Sequence, residues 1–258
     1  MHVFALVNQK GGPGKTPMTW EIGAALAARG RRVIIADFDP QGTLTAGVLG
    51  PDAADYGTAE VLLRKRPLAE ATQPTITPGL SILAAHSANL SETENKLMKD
   101  GLDGFLALTT ALEDADAAAD VMLCDCPPNL SILTSNVLTA ADYVIVPIDS
   151  TQARIALSQL KRTVAASRKL NPDLQVLGAI LTKFAAHQLL SADRLEAVSG
   201  DTDFFPQVWP VRLSGGFEKA FRAGKPLRAI AGSQSEKAAV EEVERIAAAI
   251  ESKLGARL

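Results

Sequence analysis

Cysteine is scarce in this chain: only Cys124 and Cys126 occur, two residues apart in one apolar run. Two thiols cannot build the disulfide framework of a small secreted domain. With no histidine nearby in sequence they also make a poor zinc site, so they read as small core hydrophobes in a reducing compartment, both on one face if the run is a strand. An excess of one charge sign is missing too. Lys+Arg number 26 against 29 Asp+Glu, a formal balance of -3, which advertises neither a nucleic-acid binder nor an acidic solvating tail, although the average can hide a basic face. No apolar run approaches the ~18 residues of a membrane span. The stretch from Val3 to Val7 has neither a basic segment before it nor a small-residue cleavage site after it. A soluble cytoplasmic protein is the default expectation. Linkers, low-complexity segments and repeats with a period of about 20 to 50 residues are likewise lacking. The 258 residues, 47% of them hydrophobic, are therefore expected to form one domain over residues 1–258 with an ample core, which excludes disorder and collagen.

What the chain does have is a series of continuous apolar runs of strand length: Val3 to Val7, Val33 to Ala36, Val121 to Cys124, Tyr143 to Ile148 and Val176 to Leu181. They do not alternate with polar residues, as suits strands buried on both faces. Between most of them the apolar spacing is helical, as in Trp20, Gly23, Ala24, Ala27 and Ala28, or Ile155, Leu157, Leu160 and Val164. Strand, helix, strand repetition predicts an α/β fold, a doubly wound, mostly parallel sheet with helices on both faces. The turn-rich stretch from Gly50 to Pro78 carries a short helical pattern (Ala59, Leu62, Leu63) and reads as an excursion within that domain. A final helix, roughly Glu236 to Leu254, places Val240, Val243, Ala247, Ile250 and Leu254 on one stripe and mostly acid opposite, which fits docking onto the core better than lying on a membrane.

In such folds ligands bind beyond the carboxyl ends of the strands. The first strand runs straight into Asn8-Gln9-Lys10-Gly11-Gly12-Pro13-Gly14-Lys15-Thr16, and a helix begins at once. Glycines let backbone N–H groups turn inward onto an anion, the helix start adds partial positive charge, a lysine neutralises β- and γ-phosphate oxygens, and a hydroxyl can ligate Mg2+. Gly14, Lys15 and Thr16 meet those needs in the strand-to-helix context that a phosphate loop requires. Two carboxylate segments follow later strands: Asp37-Phe38-Asp39-Pro40-Gln41-Gly42, and Asp125-Cys126-Pro127-Pro128-Asn129. At that edge carboxylates can hold magnesium through water and orient an attacking water.

The general phosphate-loop pattern would place its first glycine where this chain has Gln9. Instead, KGGPGKT resembles the deviant Walker A motif KGGxGKT of the ParA/MinD family of P-loop NTPases. DFDPQG is similar to that family's switch I and DCPPNL to its Walker B and switch II segment. Thr134 to Pro147, Leu177 to Thr182, and Val211-Arg212-Leu213-Ser214 with Gly224-Lys225-Pro226 continue the likeness nearly to the end. No helix-turn-helix precedes the first strand, so the resemblance is to the short ParA type. It implies an ATP and Mg2+ site in which Lys10, Gly11, Gly12, Pro13, Gly14, Lys15, Thr16 and Pro17 hold the nucleotide. Thr16 would ligate the metal, with Asp125 and Asp39 acting on it through water. The catalytic residues would be Lys10, reaching across a homodimer interface, Lys15, and Asp39, positioning the hydrolytic water.

Pro17 stands where the family usually has Thr or Ser. Proline there either removes one phosphate donor, at the α-phosphate, or simply stiffens the first helical turn. The family's DNA-facing arginine after its LTxxD stretch is replaced by His187, mostly neutral at pH 7. Charge counted by position restores the idea of DNA binding. Residues 151–230 hold 12 Lys+Arg against 6 Asp+Glu, and the rest of the chain 14 against 23. Lys183, Arg194, Arg212, Lys219, Arg222 and Arg228 are the candidates.

The resemblance thus implies a DNA-partition ATPase, cytoplasmic and nucleoid-associated. It would dimerise on ATP, bind DNA without sequence preference and be released when a ParB-type partner stimulates hydrolysis. The alternative is a MinD-like positioner of another cargo, for which the acidic last helix gives no membrane anchor. A redox relative with an iron–sulfur cluster between subunits is disfavoured, because Cys124 and Cys126 flank Asp125 within a strand.

Overall fold

Each of the five apolar runs forms a strand, and among the described residues three shorter strands extend the sheet at its two ends. In the computed structural model the described residues are 1–9, 12, 14–50, 53, 55–113, 115, 119–149, 153–182, 198, 200–212 and 215–255. The strands are β1 (His2–Leu6), β2 (Val33–Asp37), β3 (Thr72–Pro74), β4 (Leu80–Leu83), β5 (Val121–Asp125), β6 (Tyr143–Ile148), β7 (Gln175–Leu181) and β8 (Val208–Pro210). Their order is β3-β4-β2-β5-β1-β6-β7-β8, and every pairing is parallel except that of β3 with β4. Around them, among the described residues, lie α1 (Lys15–Ala28), α2 (Thr43–Leu49), α3 (Thr58–Leu62), α4 (Leu68–Ala71), α5 (Ser87–Lys99), α6 (Leu102–Phe105), α7 (Ala107–Glu113), α8 (Ile132–Ala140), α9 (Ala153–Ser167), α10 (Gly215–Arg222), α11 (Leu227–Ile230) and α12 (Gln234–Leu254).

The central strands are apolar throughout because both faces of the sheet are covered. Val3 and Ala5 of β1, Ile34 and Ala36 of β2, and Met122 and Cys124 of β5 pack with α3, α7 and α8 on one side. Phe4, Leu6, Val33, Ile35, Val121 and Leu123 face α1, α10 and α12 on the other. Cys124 and Cys126 both join the first of these cores, fully buried, and burial raises both thiols above their ordinary range.

Helix α1 is buried over most of its length, sandwiched between the sheet and α12, whose Ala239, Val243, Ile246, Ala247 and Ile250 complete the second core. Val240 and Leu254, expected on the inner stripe, are only partly buried. At its far end α1 is tied to α12 by Arg29 and Arg31, which both pair with Glu251 at 2.7 Å. Nearer the loop, both carboxylate oxygens of the buried Glu21 accept the amide N–H of Leu227, at 2.9 and 3.1 Å. The turn-rich excursion folds as α3, α4 and β3. It is pinned where Thr58 N–H donates to the carbonyl of Ala84, beside Gly57. Both sheet edges, β3 and β8, are three residues long and end in proline.

Candidate functional site

Parallel pairing brings the carboxyl ends of β1, β2 and β5 side by side: Leu6 lies opposite Asp125, and Asp37 opposite Asp125 on the other flank. Everything that leaves these ends shares one edge of the sheet. From β1 the chain enters the phosphate loop, whose first two side chains are tied to neighbouring elements. The Asn8 side-chain amide donates to the Pro147 carbonyl at 2.5 Å, and that of Gln9 to the Thr163 hydroxyl at 2.9 Å. Gly12 and Gly14 have φ of +80° and +89°, a conformation in which a side chain would be strained, so the glycines are required by the turn. Lys10, Gly11 and Pro13 lie outside the described residues.

Helix α1 starts at Lys15, directly after this turn. The Lys15 ammonium folds back to donate to the Asn8 carbonyl at 3.2 Å and is 6% exposed. Burial pulls its pKa below the ordinary lysine value, against the pull of Asp125 and Asp39. The Thr16 hydroxyl donates to Asp125 Oδ2 at 2.6 Å. The Met18 N–H is satisfied within the turn, by the Gly14 carbonyl at 3.1 Å. Pro17 has no N–H, so it can offer no backbone donor to an anion at the head of the helix.

Two buried carboxylates lie beside this lysine. Asp125 is 1% exposed, and burial with the neighbouring charge of Asp37 raises it to about 8, despite Thr16 and Lys15. Its Oδ1 has no hydrogen-bond partner among the described residues. Burial also raises Asp37, to about 6. Asp37 is engaged, however: Oδ1 accepts the Asp39 N–H at 3.1 Å, and Oδ2 accepts both the N–H and the hydroxyl of Thr45, at 2.9 and 2.8 Å. Asp37 thereby fixes the loop that presents Asp39 and starts α2. Asp39 is half-buried and closes its own turn by accepting the Gln41 N–H at 2.9 Å.

This donor set fits a divalent cation bound to phosphate. A hydroxyl and an orphaned carboxylate oxygen share one point, a second buried carboxylate lies beside them, and oxygen donors suit Mg2+. Asp39, Asp125, Lys15 and Thr16, all expected from sequence, meet here. Asn8, Asp37 and Thr45 complete the support. Asn8 and Asp37 lie inside the motif segments, although nothing in those segments marks them as supports, and Thr45 lies beyond them. Among the described residues no cluster of His, Cys, Asp or Glu suggests another metal site, and both thiols are too deeply buried to hold a shared cluster.

The basic candidates are more dispersed. Lys183 and Arg194 lie outside the described residues, as does His187. Arg212 pairs with Glu242 at 2.7 Å, Lys219 with Glu236 at 3.7 Å, Arg228 with Glu244 at 2.8 Å, and Arg222 with Glu218 one turn back. Counting charge along the sequence misses this, because α12 folds its own carboxylates onto three of the four.

Comparison with known proteins agrees with the geometry. Residues 1–176 match the family model described as an AAA domain. The chain is 38% identical over 196 residues to the chromosome partitioning protein ParA of Caulobacter vibrioides, covering 74% of this chain and 73% of that protein. It is 36% identical to the sporulation initiation inhibitor protein Soj of Bacillus subtilis, covering 76% and 78% respectively. Among solved structures, cobyrinic acid a,c-diamide synthase of Mycobacterium smegmatis with bound ATP analog and magnesium superposes with a TM-score of 0.80 at 33% identity, over 99% of this chain and 96% of that one. With a deviant phosphate loop at the head of α1, paired carboxylates on β2 and β5 and these relatives, the chain belongs to the ParA/MinD family of P-loop proteins.

Proposed function

We propose that the chain is a ParA-type partition ATPase, its whole length acting as one catalytic domain. The observation that carries this reading is the convergence of Lys15, Thr16, Asp39 and Asp125 on one edge, with Asp125 Oδ1 lacking a partner among the described residues. The amides of Gly14, Lys15 and Thr16 and the Lys15 ammonium would cradle the phosphates of ATP. Thr16 and, through water, Asp125 would hold Mg2+, which when bound supplies positive charge against the phosphate oxygens. Asp39, on a loop that Asp37 fixes, would orient the hydrolytic water. Lys10 would cross to the nucleotide of a second copy and so tie dimerisation to ATP.

The ATP-bound dimer would bind DNA through its basic surface and leave it after hydrolysis stimulated by a ParB-type protein, in the cytoplasm at the nucleoid. Asp39→Ala is expected to bind ATP and dimerise but not to turn over. Size-exclusion chromatography with ATP and a phosphate-release assay read the two effects separately, and wild-type turnover in this variant would refute the role. No helix among the described residues is long and apolar enough to cross a membrane.

A further inference from the structure

Three helices that leave the nucleotide edge meet at one aromatic contact. Helix α1 follows the phosphate loop, α2 follows the Asp39 loop, and α10 begins a few residues beyond β8. On α2, Gly47 faces the ring of Phe221 on α10 so closely that a Cβ there would stand 2.2 Å from ring carbon Cε1. The same ring meets Trp20 of α1 edge-on, with centroids 5.4 Å apart and planes at 80°. Trp20 is 2% exposed, and the inner face of α10 is anchored by Phe217 and Ala220. Its outer face carries Lys219 and Arg222. Asp37 holds Thr45 in the first turn of α2, so the carboxylate that fixes the Asp39 loop also fixes the helix that bears Gly47.

We propose that the Gly47–Phe221–Trp20 contact transmits the occupancy of the nucleotide site to α10, shifting the basic helix when the Asp39 loop closes on a bound phosphate. Contact this tight leaves no slack. Interiors packed at crystal-like density pass displacement on instead of absorbing it, and an aromatic edge seated over a glycine slides or tilts as a unit with its helix. The coupling rests on the proposed reading only in requiring ATP binding; it does not require that α10 touch DNA.

The test is amide hydrogen exchange over residues 215–222 in the full chain, with and without ATP and Mg2+, for the wild type, Gly47→Ala, Phe221→Leu and the double variant. ATP is expected to change exchange in the wild-type helix by about threefold or more, and each single variant to lose most of that response. Calorimetric affinity for ATP should stay within about twofold throughout, which separates lost coupling from lost folding. In the double variant the added methyl occupies space vacated by the smaller side chain, and a good part of the response should return, a non-additivity expected of groups in contact. A wild type that binds ATP without any change in 215–222, single variants that keep the full response, or a double variant that regains none would each overturn the proposal. DNA binding, measured alongside by anisotropy, reads the functional proposal independently: its absence with the exchange response intact would defeat the DNA reading and leave the coupling standing.

Discussion

Glu21 has no ready way to carry a charge. It sits in the second turn of α1, 5% exposed, and burial raises its pKa to about 7, although the Leu227 amide and Arg228 favour the ionised form. The folded state therefore binds a proton that the unfolded chain releases near the ordinary value of 4.5. Stability from this group is fully present below about 4.5 and is lost as pH rises through about 7, a contribution on the order of 3 kcal/mol at most. Asp37 and Asp125 are raised too and act with the same sign. Glu21→Gln should accordingly lose less stability between pH 5 and pH 8 than the wild type in urea unfolding without nucleotide, and parallel profiles would contradict the assignment. Pro17 makes the other residue-scale prediction. If it withholds a donor from the phosphates, Pro17→Thr should tighten ATP binding by about tenfold, the usual worth of one hydrogen bond to a charged group. An unchanged dissociation constant by calorimetry would mean that the proline only stiffens the turn.

Among the elements, α3 depends on a close approach that no larger residue allows. A Cβ on Gly57 would lie 2.0 Å from the Ala84 carbonyl oxygen, so Gly57→Ala must push α3 off the end of β4 and break the Thr58 to Ala84 hydrogen bond. A loss of about 2–3 kcal/mol in urea unfolding, with the m-value unchanged, is expected, and a wild-type midpoint would show that the contact yields cheaply. The central strands are legible in sequence because burial on both faces writes an unbroken apolar run. β3, β4 and β8 are not: they are three or four residues long, and β8 is only half-buried, too little for a period to register. The phosphate loop is legible for the opposite reason, since its glycines, lysine and threonine are local necessities of one turn. Asn8, Thr45 and Glu21 carry no such signal because their roles depend on partners elsewhere in the chain; Glu21 and Leu227 are 206 residues apart. The stripe on α12 announces a docking helix, and it docks, but where its carboxylates land is decided only in three dimensions.

For the molecule as a whole, those carboxylates set the terms on which it would meet a polyanion. Arg212 and Arg228 are held by Glu242 and Glu244; Glu242 is 11% exposed and also accepts the Arg212 N–H, but both guanidinium groups stay within reach of solvent, at 46% and 33% exposed, where such pairs contribute little to stability and yield to a better anion. Glu242→Gln and Glu244→Gln should therefore raise affinity for random-sequence duplex DNA in the presence of ATP, while Arg222→Glu should lower it. Each effect should shrink as salt rises, with the slope of log K against log salt changing by about 0.9 for each DNA phosphate that the variant newly neutralises or ceases to neutralise. Anisotropy at two salt concentrations checks all three, and indifference of the three variants would move the interface away from α10 and α12. The margins of the sheet set a second limit on what the molecule can join. Among the described residues both outermost strands span three residues and finish in proline, Pro74 on one side and Pro210 on the other, so each offers only a short ladder on which another strand could grow. If copies of this chain stack into polymers on DNA, helices and loops are the expected contacts, because neither described edge favours growth by continuing the sheet from one molecule into the next.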